Sequence, residues 1–296
     1  MADLVPVIDG LSSVADQYDA FIIDLWGVVH DGTALHDGIE DVLAALKAAG
    51  KPTCLLTNAQ RRVSSVQDKL DEMGLDRALY PHLFSSGELT FERLRDRPTA
   101  AYARLGDRCF YIGGDRDRSV HDGLPITLVQ DPADATFALL AGPVDLFDSL
   151  DQTKPLLDAA LAANLPAVCA NPDRVVWVGD QLATCAGSFA HYMEARGSTV
   201  LWHGKPYRDV YERCLTLLGD PIPSRVLGIG DALATDIAGA RGIGADALLV
   251  GSGIHAEALG ATQDRSFPSG LNRGRVAALA EEKGIHPTAA IGALRW

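Results

Sequence analysis

The sequence predicts an α/β protein in which helices cover both faces of a parallel sheet and a second α/β module is inserted into the first. Apolar runs of strand length alternate along the chain with helical runs of about 10 to 14 residues. The strand-like runs are apolar on both faces, as expected for parallel strands that helices cover on both sides. The middle of the chain repeats this alternation, which indicates the inserted module.

The outer parts of the chain supply the larger predicted sheet. Its predicted strands are AFIIDLW (20–26), PTCLLTN (52–58), SRVLGIGD (224–231) and DALLVGSG (246–253). Its predicted helices are GIEDVLAALKAAG (38–50), RRVSSVQDKLDEMG (61–74), ATDIAGARGIG (234–244) and VAALAEEKG (276–284). The first of these helices closes at Gly50, because glycine readily adopts the conformation that ends a helix.

The middle of the chain supplies the second module. Its predicted strands are RCFYIGG (108–114), PITLVQ (125–130), ATFALLAG (135–142) and PAVCAN (166–171). One helix, DQTKPLLDAALAAN (151–164), is predicted between the last two of these strands. A polar, glycine-rich stretch at 261–275 reads as a surface connection before the final helix.

Charge and cysteine usage narrow the class of protein. The formal net charge is −13 and the pI is near 4.9, which disfavours nucleic acid and anionic membranes as partners. A small anionic substrate remains compatible, because a local cation can reverse the field inside a pocket. The five cysteines are scattered without a C-x-x-C pair, so neither a disulfide framework nor a zinc site is expected. With no signal peptide and no apolar run long enough for a membrane span, we expect a cytoplasmic protein.

Polar side chains stand where three predicted strands end. Asp24 ends the first strand, Thr57 and Asn58 end the second, and Asp231 ends the downstream strand. Each could instead cap a helix or sit in a turn. Ligands of doubly wound sheets bind beyond the carboxyl ends of the strands, so together these residues predict a site there. Clustered carboxylates need a hard cation such as Mg²⁺ between them.

Two further residues, Lys205 and Asp236, extend this set. Lys205 could anchor a phosphate and offset the carboxylates, although a lysine before a proline can equally open a surface helix. Asp236 follows the downstream strand by a few residues. Arg61 and Arg62 are expected to open a solvated helix, and either could also reach an anionic end of a substrate.

Four motifs then carry a resemblance. The motifs are D-x-x-G-V (24–28), T-N (57–58), G-K-P (204–206) and G-D-x-x-x-T-D (230–236). As a set they resemble the haloacid dehalogenase superfamily, and most of all its class IIA branch, the NagD-type and p-nitrophenyl-phosphatase-like hydrolases. The resemblance implies a Rossmann-like parallel-sheet core formed by 1–87 and 197–296. It also implies an inserted α/β cap, 88–196, that selects the substrate.

The resemblance implies a role for each matching residue. Asp24 would be the nucleophile that forms an aspartyl-phosphate, and Lys205 would stabilise charge in the transition state. Thr57 would donate its hydroxyl to the phosphoryl oxygens. Asn58 and Gly27 would contribute to binding the substrate.

The resemblance also implies a Mg²⁺ site. Its ligands would be Asp24, Asp231 and the backbone carbonyl of Trp26, with Asp236 supporting the site directly or through Lys205. The metal would let the anionic nucleophile approach an anionic phosphate. The implied activity is Mg²⁺-dependent hydrolysis of a small phosphorylated metabolite.

The chain departs from the family pattern at Trp26. Phosphatases of this superfamily usually carry a second aspartate there, as general acid and base, and an indole cannot exchange protons with a substrate. General acid catalysis is typically worth about 10²–10⁴-fold, so alkyl phosphates should suffer most and acyl or aryl phosphates least. His30 or Asp31 could replace the missing acid if the fold aimed one of them at the leaving group.

Two alternative functions stay open at this point. Haloacid dehalogenases carry tyrosine at the position of Trp26, so displacement of halide is one alternative, although the complete metal motif argues against it. The other is a phosphate-ligand-binding protein with little or no turnover. Substrate contacts are expected in DRVVWVGDQLATCAGS (173–188), and the caps of this branch often pair, which would give a homodimer.

Overall fold

The computed structural model describes residues 5–178 and 181–296. The chain divides into two compact units. The core unit comprises the residues up to Thr57 together with Lys69–Phe84 and Lys205–Trp296. The insert unit comprises Asn58–Asp68 and Ser85–Gly204. The short loop after Thr57 therefore groups by its contacts with the inserted module.

The strands are short, and most of them are buried. In chain order they are β1 (Val7–Ile8), β2 (Ala20–Asp24), β3 (Thr53–Thr57), β4 (His82–Ser85), β5 (Arg108–Ile112), β6 (Thr127–Leu128), β7 (Phe137–Leu140), β8 (Ala167–Cys169), β9 (Val175–Val178), β10 (Gln181–Thr184), β11 (Val200–Trp202), β12 (Val226–Gly230), β13 (Asp246–Val250) and β14 (Ala289–Ile291).

The strands form three sheets. The core unit is built on the order β1-β14-β13-β12-β2-β3-β4, in which the pairs from β1 to β3 are parallel. The insert unit is built on a parallel sheet in the order β11-β8-β7-β5-β6, and β9 and β10 form an antiparallel pair of their own. The predicted α/β class with a Rossmann-like parallel sheet and an inserted α/β module is confirmed.

The helices follow the strands as the alternating pattern predicts. They are α1 (Ile39–Ala48), α2 (Val63–Glu72), α3 (Ser86–Asp96), α4 (Ala100–Ala103), α5 (Leu150–Ala162), α6 (Ala186–Glu194), α7 (Arg208–Leu217), α8 (Ala238–Gly242), α9 (Ala256–Leu259) and α10 (Arg273–Lys283). None of the helices in the described ranges is long and apolar enough to cross a membrane.

Local structure differs from the prediction in several places, and the strands β9, β10 and β11 of the insert unit are among the elements that were not predicted. The helix predicted at 234–244 is a π-helical turn, Leu233–Ile237, followed by α8. The strands β1, β4 and β14 were not predicted, because two or three apolar residues give no periodic signal. These short strands all lie in the outer parts of the core sheet.

The strand register positions the polar ends. β2 lies between β12 and β3, and every residue of these three strands is buried. Ile23 pairs with Ile229, and Asp24 pairs with Leu56. Because the strands are parallel, the residues just beyond these pairs meet at one edge of the sheet.

Candidate active site

Asp24 and Lys205 form a buried ion pair at this edge. Asp24 is 5% exposed and Lys205 is 4% exposed. The Nζ atom of Lys205 donates to Oδ1 of Asp24 at 2.5 Å and to Oδ1 of Asp236 at 2.7 Å. One ammonium group therefore links two carboxylates, and the arrangement leaves an excess of negative charge.

That excess of charge acts on the nucleophile candidate. Burial raises the pKa of Asp24 well above its usual value, and the charge of Asp236 raises it further, while Lys205 acts in the opposite direction. An additional cation beside Asp24 would favour its ionised form, which is the form able to attack phosphorus.

Asp231 completes a group of three carboxylates that could bind such a cation. Asp24, Asp231 and Asp236 are all buried, and each offers an oxygen within 4.8 Å of the others. Carboxylate oxygens are the ligands that Mg²⁺ prefers, so the side chains present fit this ion. The contribution of the Trp26 carbonyl stays a prediction.

Two glycines shape the space around Asp231. Its Oδ2 atom accepts a hydrogen bond from the backbone of Ile254 at 2.7 Å. A Cβ atom on Gly27 would lie 2.2 Å from this oxygen, and one on Gly253 would lie 2.0 Å from it. Gly27 also has a φ of +83°, which side-chain-bearing residues rarely adopt. Asp231 is therefore held by backbone that approaches too closely for any side chain.

Asp236 has both carboxylate oxygens occupied. Oδ1 accepts from Lys205, and Oδ2 accepts from the backbone of Ala232 at 3.1 Å. The hydroxyl of Tyr211 donates to the carbonyl of Asp236 at 3.1 Å and so ties the π-helical turn to α7. A Cβ atom on Gly230 would lie 2.1 Å from Cβ of Asp236. These contacts fix the carboxylate of Asp236, which in turn orients Lys205.

The turn after Asp24 contains Trp26. The indole ring meets the ring of His30 edge to face, with centroids 5.2 Å apart. A Cβ atom on Gly32 would lie 2.5 Å from the indole, so the missing side chain at position 32 makes room for the ring. Trp26 thus packs within its own turn.

Neither predicted substitute acid is suited to donate a proton. The Nδ1 atom of His30 accepts from the backbone of Gly32 at 3.0 Å, and burial lowers the pKa of His30 to about 4. At Asp31 burial acts to raise the pKa, but hydrogen bonds from Thr33 and Ala34 outweigh it and lower the pKa to about 2. At neutral pH His30 is therefore uncharged and Asp31 is ionised.

The residues after β3 are divided between the two units. Thr57 belongs to the core unit and is 4% exposed, at the end of its strand. Asn58 belongs to the insert unit, where its Nδ2 atom donates to Oδ1 of Asp173 at 2.8 Å. The roles predicted for both residues and for Gly27 in holding phosphate stay predictions.

The two arginines after β3 are paired. Arg61 donates from Nε to Asp117 at 2.9 Å, and Arg62 binds Glu88 through two hydrogen bonds of 2.9 and 2.8 Å. The predicted solvated helix begins only after them, at Val63.

Several residues of the site were missed at the sequence level. Gly253 and Ile254 lie well after the last motif, and Tyr211 lies shortly after the G-K-P motif, but no local pattern marks any of the three as a site residue. Gly230 lies inside the G-D motif. A glycine within a buried strand often marks a place where another group approaches the backbone closely, so this residue was predictable from the sequence. Within the segment 173–188 expected to contact substrate, Gly179 and Asp180 lie outside the described residues.

The site contains a buried aspartate–lysine pair beside two further aspartates, at the carboxyl edge of a parallel sheet. This arrangement is typical of hydrolases of the α/β class. Comparison with known proteins identifies the family. A model described as haloacid dehalogenase-like hydrolase matches residues 21–127, and a HAD-hydrolase-like model matches residues 202–268.

Two relatives are similar to this chain in sequence, and one further solved structure shares its fold. A haloacid dehalogenase-like hydrolase from Brucella suis 1330 is 30% identical, with a TM-score of 0.80 over 97% of this chain and 99% of its own. Chronophin from Rattus norvegicus is 27% identical over 82% of this chain and 80% of its own. A p-nitrophenyl phosphatase from Archaeoglobus fulgidus, 20% identical, shares the fold with a TM-score of 0.66 over 92% of this chain and 95% of its own.

The chain belongs to the haloacid dehalogenase superfamily, and it is a hydrolase of the class IIA branch.

Proposed function

We propose that this protein is a Mg²⁺-dependent phosphatase that hydrolyses a small phosphorylated metabolite through an aspartyl-phosphate on Asp24. The buried Asp24–Lys205–Asp236 arrangement, with Asp231 in reach, is the observation that carries the proposal. The family match and the p-nitrophenyl phosphatase of the same fold support it.

Asp24, Lys205 and Thr57 have different roles in the proposed reaction. The carboxylate of Asp24 attacks phosphorus in line with the leaving group and becomes phosphorylated. Lys205 lies against the attacking oxygen and offsets the charge that develops on the phosphoryl group. The hydroxyl of Thr57, at the end of β3, would donate to the phosphoryl oxygens. Water then hydrolyses the aspartyl-phosphate.

Mg²⁺ bound by Asp24, Asp231, the Trp26 carbonyl and, in part, Asp236 would neutralise charge between the phosphate and its nucleophile. The close backbone of Gly27 and the N–H of Ile254 hold Asp231 in place for this role. All five cysteines are buried free thiols, in keeping with the reducing compartment of a cytoplasmic enzyme.

The leaving group receives no proton from position 26. Trp26 carries no acidic proton, His30 is neutral and Asp31 is ionised. An alkoxide is a poor leaving group without a proton, whereas carboxylates and phenolates leave readily. The proposed enzyme therefore favours acyl and aryl phosphates over alkyl phosphates.

Phosphate release from acetyl phosphate, p-nitrophenyl phosphate and ethyl phosphate tests the proposal, with and without Mg²⁺ and with Asp24→Asn as the control. We expect turnover of the first two substrates only, lost with EDTA and in the variant. Turnover that persists in Asp24→Asn would contradict the proposed nucleophile.

The same turn favours a second candidate, a phosphate-ligand-binding protein with little turnover. The observation behind it is that His30 is uncharged and Asp31 is ionised at neutral pH, so neither is suited to protonate a leaving group. Mg²⁺-dependent binding of inorganic phosphate without release from any of the three substrates would support this candidate instead.

A further inference from the structure

Lys205 and Asp236 contact each other from two separate segments of the core unit. Asp236 lies in the π-helical turn, Leu233–Ile237, that follows β12. Lys205 lies three residues before Arg208, the first residue of α7. Nζ of Lys205 nevertheless donates to Oδ1 of Asp236 at 2.7 Å. The geometry of this ion pair therefore depends on how α7 is held against the turn.

Tyr211 connects α7 to this turn. The residue is buried, and its hydroxyl is shared between the backbone carbonyls of Asp236 at 3.1 Å and Thr235 at 3.3 Å. A Cβ atom on Gly239 would lie 2.2 Å from Cε2 of the tyrosine, so the ring packs directly on the backbone of α8. Tyr211 thus contacts the turn through its hydroxyl and the helix after the turn through its ring.

The hydroxyl of Tyr211 stays protonated at neutral pH. Burial raises the pKa of Tyr211 well above its usual value, and the charge of Asp236 raises it further, while Lys205 acts in the opposite direction. The hydroxyl is therefore a hydrogen-bond donor, and the two backbone carbonyls that it contacts are acceptors. This link between α7 and the turn does not require any ionised group.

Packing alone does not fix the ion pair beside Tyr211. A small cavity lies there, lined by Asp24, Lys205, Tyr211 and Asp236 and otherwise by residues of β2, β3 and β12. Side chains beside a cavity have fewer van der Waals contacts, so they can shift at less cost. The position of Lys205 against Asp24 therefore depends on hydrogen bonds, and the hydroxyl of Tyr211 holds the turn that carries Asp236.

We propose that Tyr211 is a positioning residue that acts through Asp236 to hold the ammonium group of Lys205 against the attacking oxygen of Asp24. In this role the hydroxyl limits movement of the turn. An ammonium group displaced from Asp24 stabilises the developing charge less, and a displacement of about 1 Å can lower a rate by about 10²-fold. The inference rests on the proposed function, since it concerns the same reaction.

Steady-state kinetics of Tyr211→Phe with acetyl phosphate and Mg²⁺ test the proposal. The substitution removes the hydroxyl and keeps the ring that packs on Gly239. We expect kcat to fall by about 10- to 100-fold, a usual effect for a residue that orients a reacting group. KM should change little, because the lost interaction concerns the transition state rather than the binding of substrate.

Tyr80→Phe is the matched control. Tyr80 is another buried tyrosine of the core unit, and its hydroxyl makes no hydrogen bond within the part of the chain that the structure describes. We expect this variant to keep the wild-type kcat and KM. An equal fall of kcat in both variants would overturn the proposal. A rise of KM with unchanged kcat in Tyr211→Phe would overturn it as well.

Urea unfolding in EDTA gives a second readout that needs neither metal nor turnover. Loss of the hydroxyl should lower the unfolding midpoint less in an Asp236→Asn background than in the otherwise unchanged chain, because the ion pair that it holds is already weakened there. Tyr80→Phe should shift the midpoint equally in both backgrounds. Equal shifts for Tyr211→Phe in both backgrounds would show that the hydroxyl does not act through Asp236.

The outcomes separate this inference from the proposed function. A wild-type protein that hydrolyses neither acetyl phosphate nor p-nitrophenyl phosphate would contradict the proposed function. An active wild-type enzyme with an equally active Tyr211→Phe variant would overturn the role of Tyr211 and leave the proposed function standing.

Discussion

Two neighbouring parts of the core unit treat buried ionisable groups in opposite ways. At the end of β2, Nζ of Lys205 donates to a carboxylate oxygen of Asp24 and to one of Asp236. In the turn that follows, His30 is kept neutral by burial and Trp26 carries no ionisable group. In the proposed function, this difference corresponds to a site that binds and attacks phosphate but supplies no proton to the leaving group.

Replacing Lys205 removes the ammonium group that contacts both Asp24 and Asp236. Lys205→Met leaves two buried carboxylates unpaired, and we expect it to lower the free energy of unfolding by about 3 to 5 kcal/mol and to abolish turnover. Urea unfolding in EDTA measures the first effect. The double variant Lys205→Met, Asp24→Asn should recover part of the lost stability, and a double variant as unstable as the single one would contradict the charge argument.

A carboxyl group introduced at position 26 tests whether the turn after Asp24 lacks only a proton donor. Trp26→Asp places a carboxyl group where the family has its acid, and we expect hydrolysis of ethyl phosphate to rise by about 10²–10⁴-fold. Hydrolysis of acetyl phosphate should change little, because its leaving group needs no proton. Trp26→Phe is the control. An equal rise for both substrates would show that Trp26 acts by blocking access rather than by lacking a proton.

A substitution at Gly27 tests whether the close backbone positions Asp231 to bind Mg²⁺. Gly27→Ala places a Cβ atom 2.2 Å from Oδ2 of Asp231, and we expect Mg²⁺ affinity to fall by about 10- to 100-fold. Gly38→Ala is a matched control, because Gly38 has a similar φ of +80° and nothing within 4 Å of the added atom. Similar Mg²⁺ affinities of the two variants, measured by calorimetry, would argue against the steric explanation.

A second buried histidine with a lowered pKa, His203, lies in the insert unit. It is fully buried between the hydroxyls of Thr90 and Tyr102, and burial lowers its pKa to about 3. A depressed histidine pKa contributes stability above about pH 6.5 that is lost as the pH falls towards 3.

Between pH 7.5 and pH 5 this loss amounts to about 2 kcal/mol of unfolding free energy. We expect His203→Asn to flatten the acid side of the stability curve from urea unfolding. His191→Asn, on a half-exposed histidine, should leave the curve unchanged. An unchanged curve for His203→Asn would exclude this group as the source of the acid sensitivity.

Much of the core could be predicted because its signals are local. The apolar runs that became β2, β3 and β12 specify buried parallel strands, and parallel strands necessarily bring their carboxyl ends to one edge. The placement of Asp24 and Asp231 near each other follows from that geometry alone. The contacts that Gly253, Ile254 and Tyr211 make with Asp231 and Asp236 could not be predicted, since no motif connects these residues.

The sequence by itself determined the α/β class, the polar strand ends and the unusual tryptophan, because each depends on residues close together in the chain. Only the tertiary structure decided which groups are charged and which are neutral. Lys205 contacts Asp24 across 181 residues, and burial lowers the pKa of His203 to about 3. Such properties depend on burial and on distant partners, and these arise only when the chain folds.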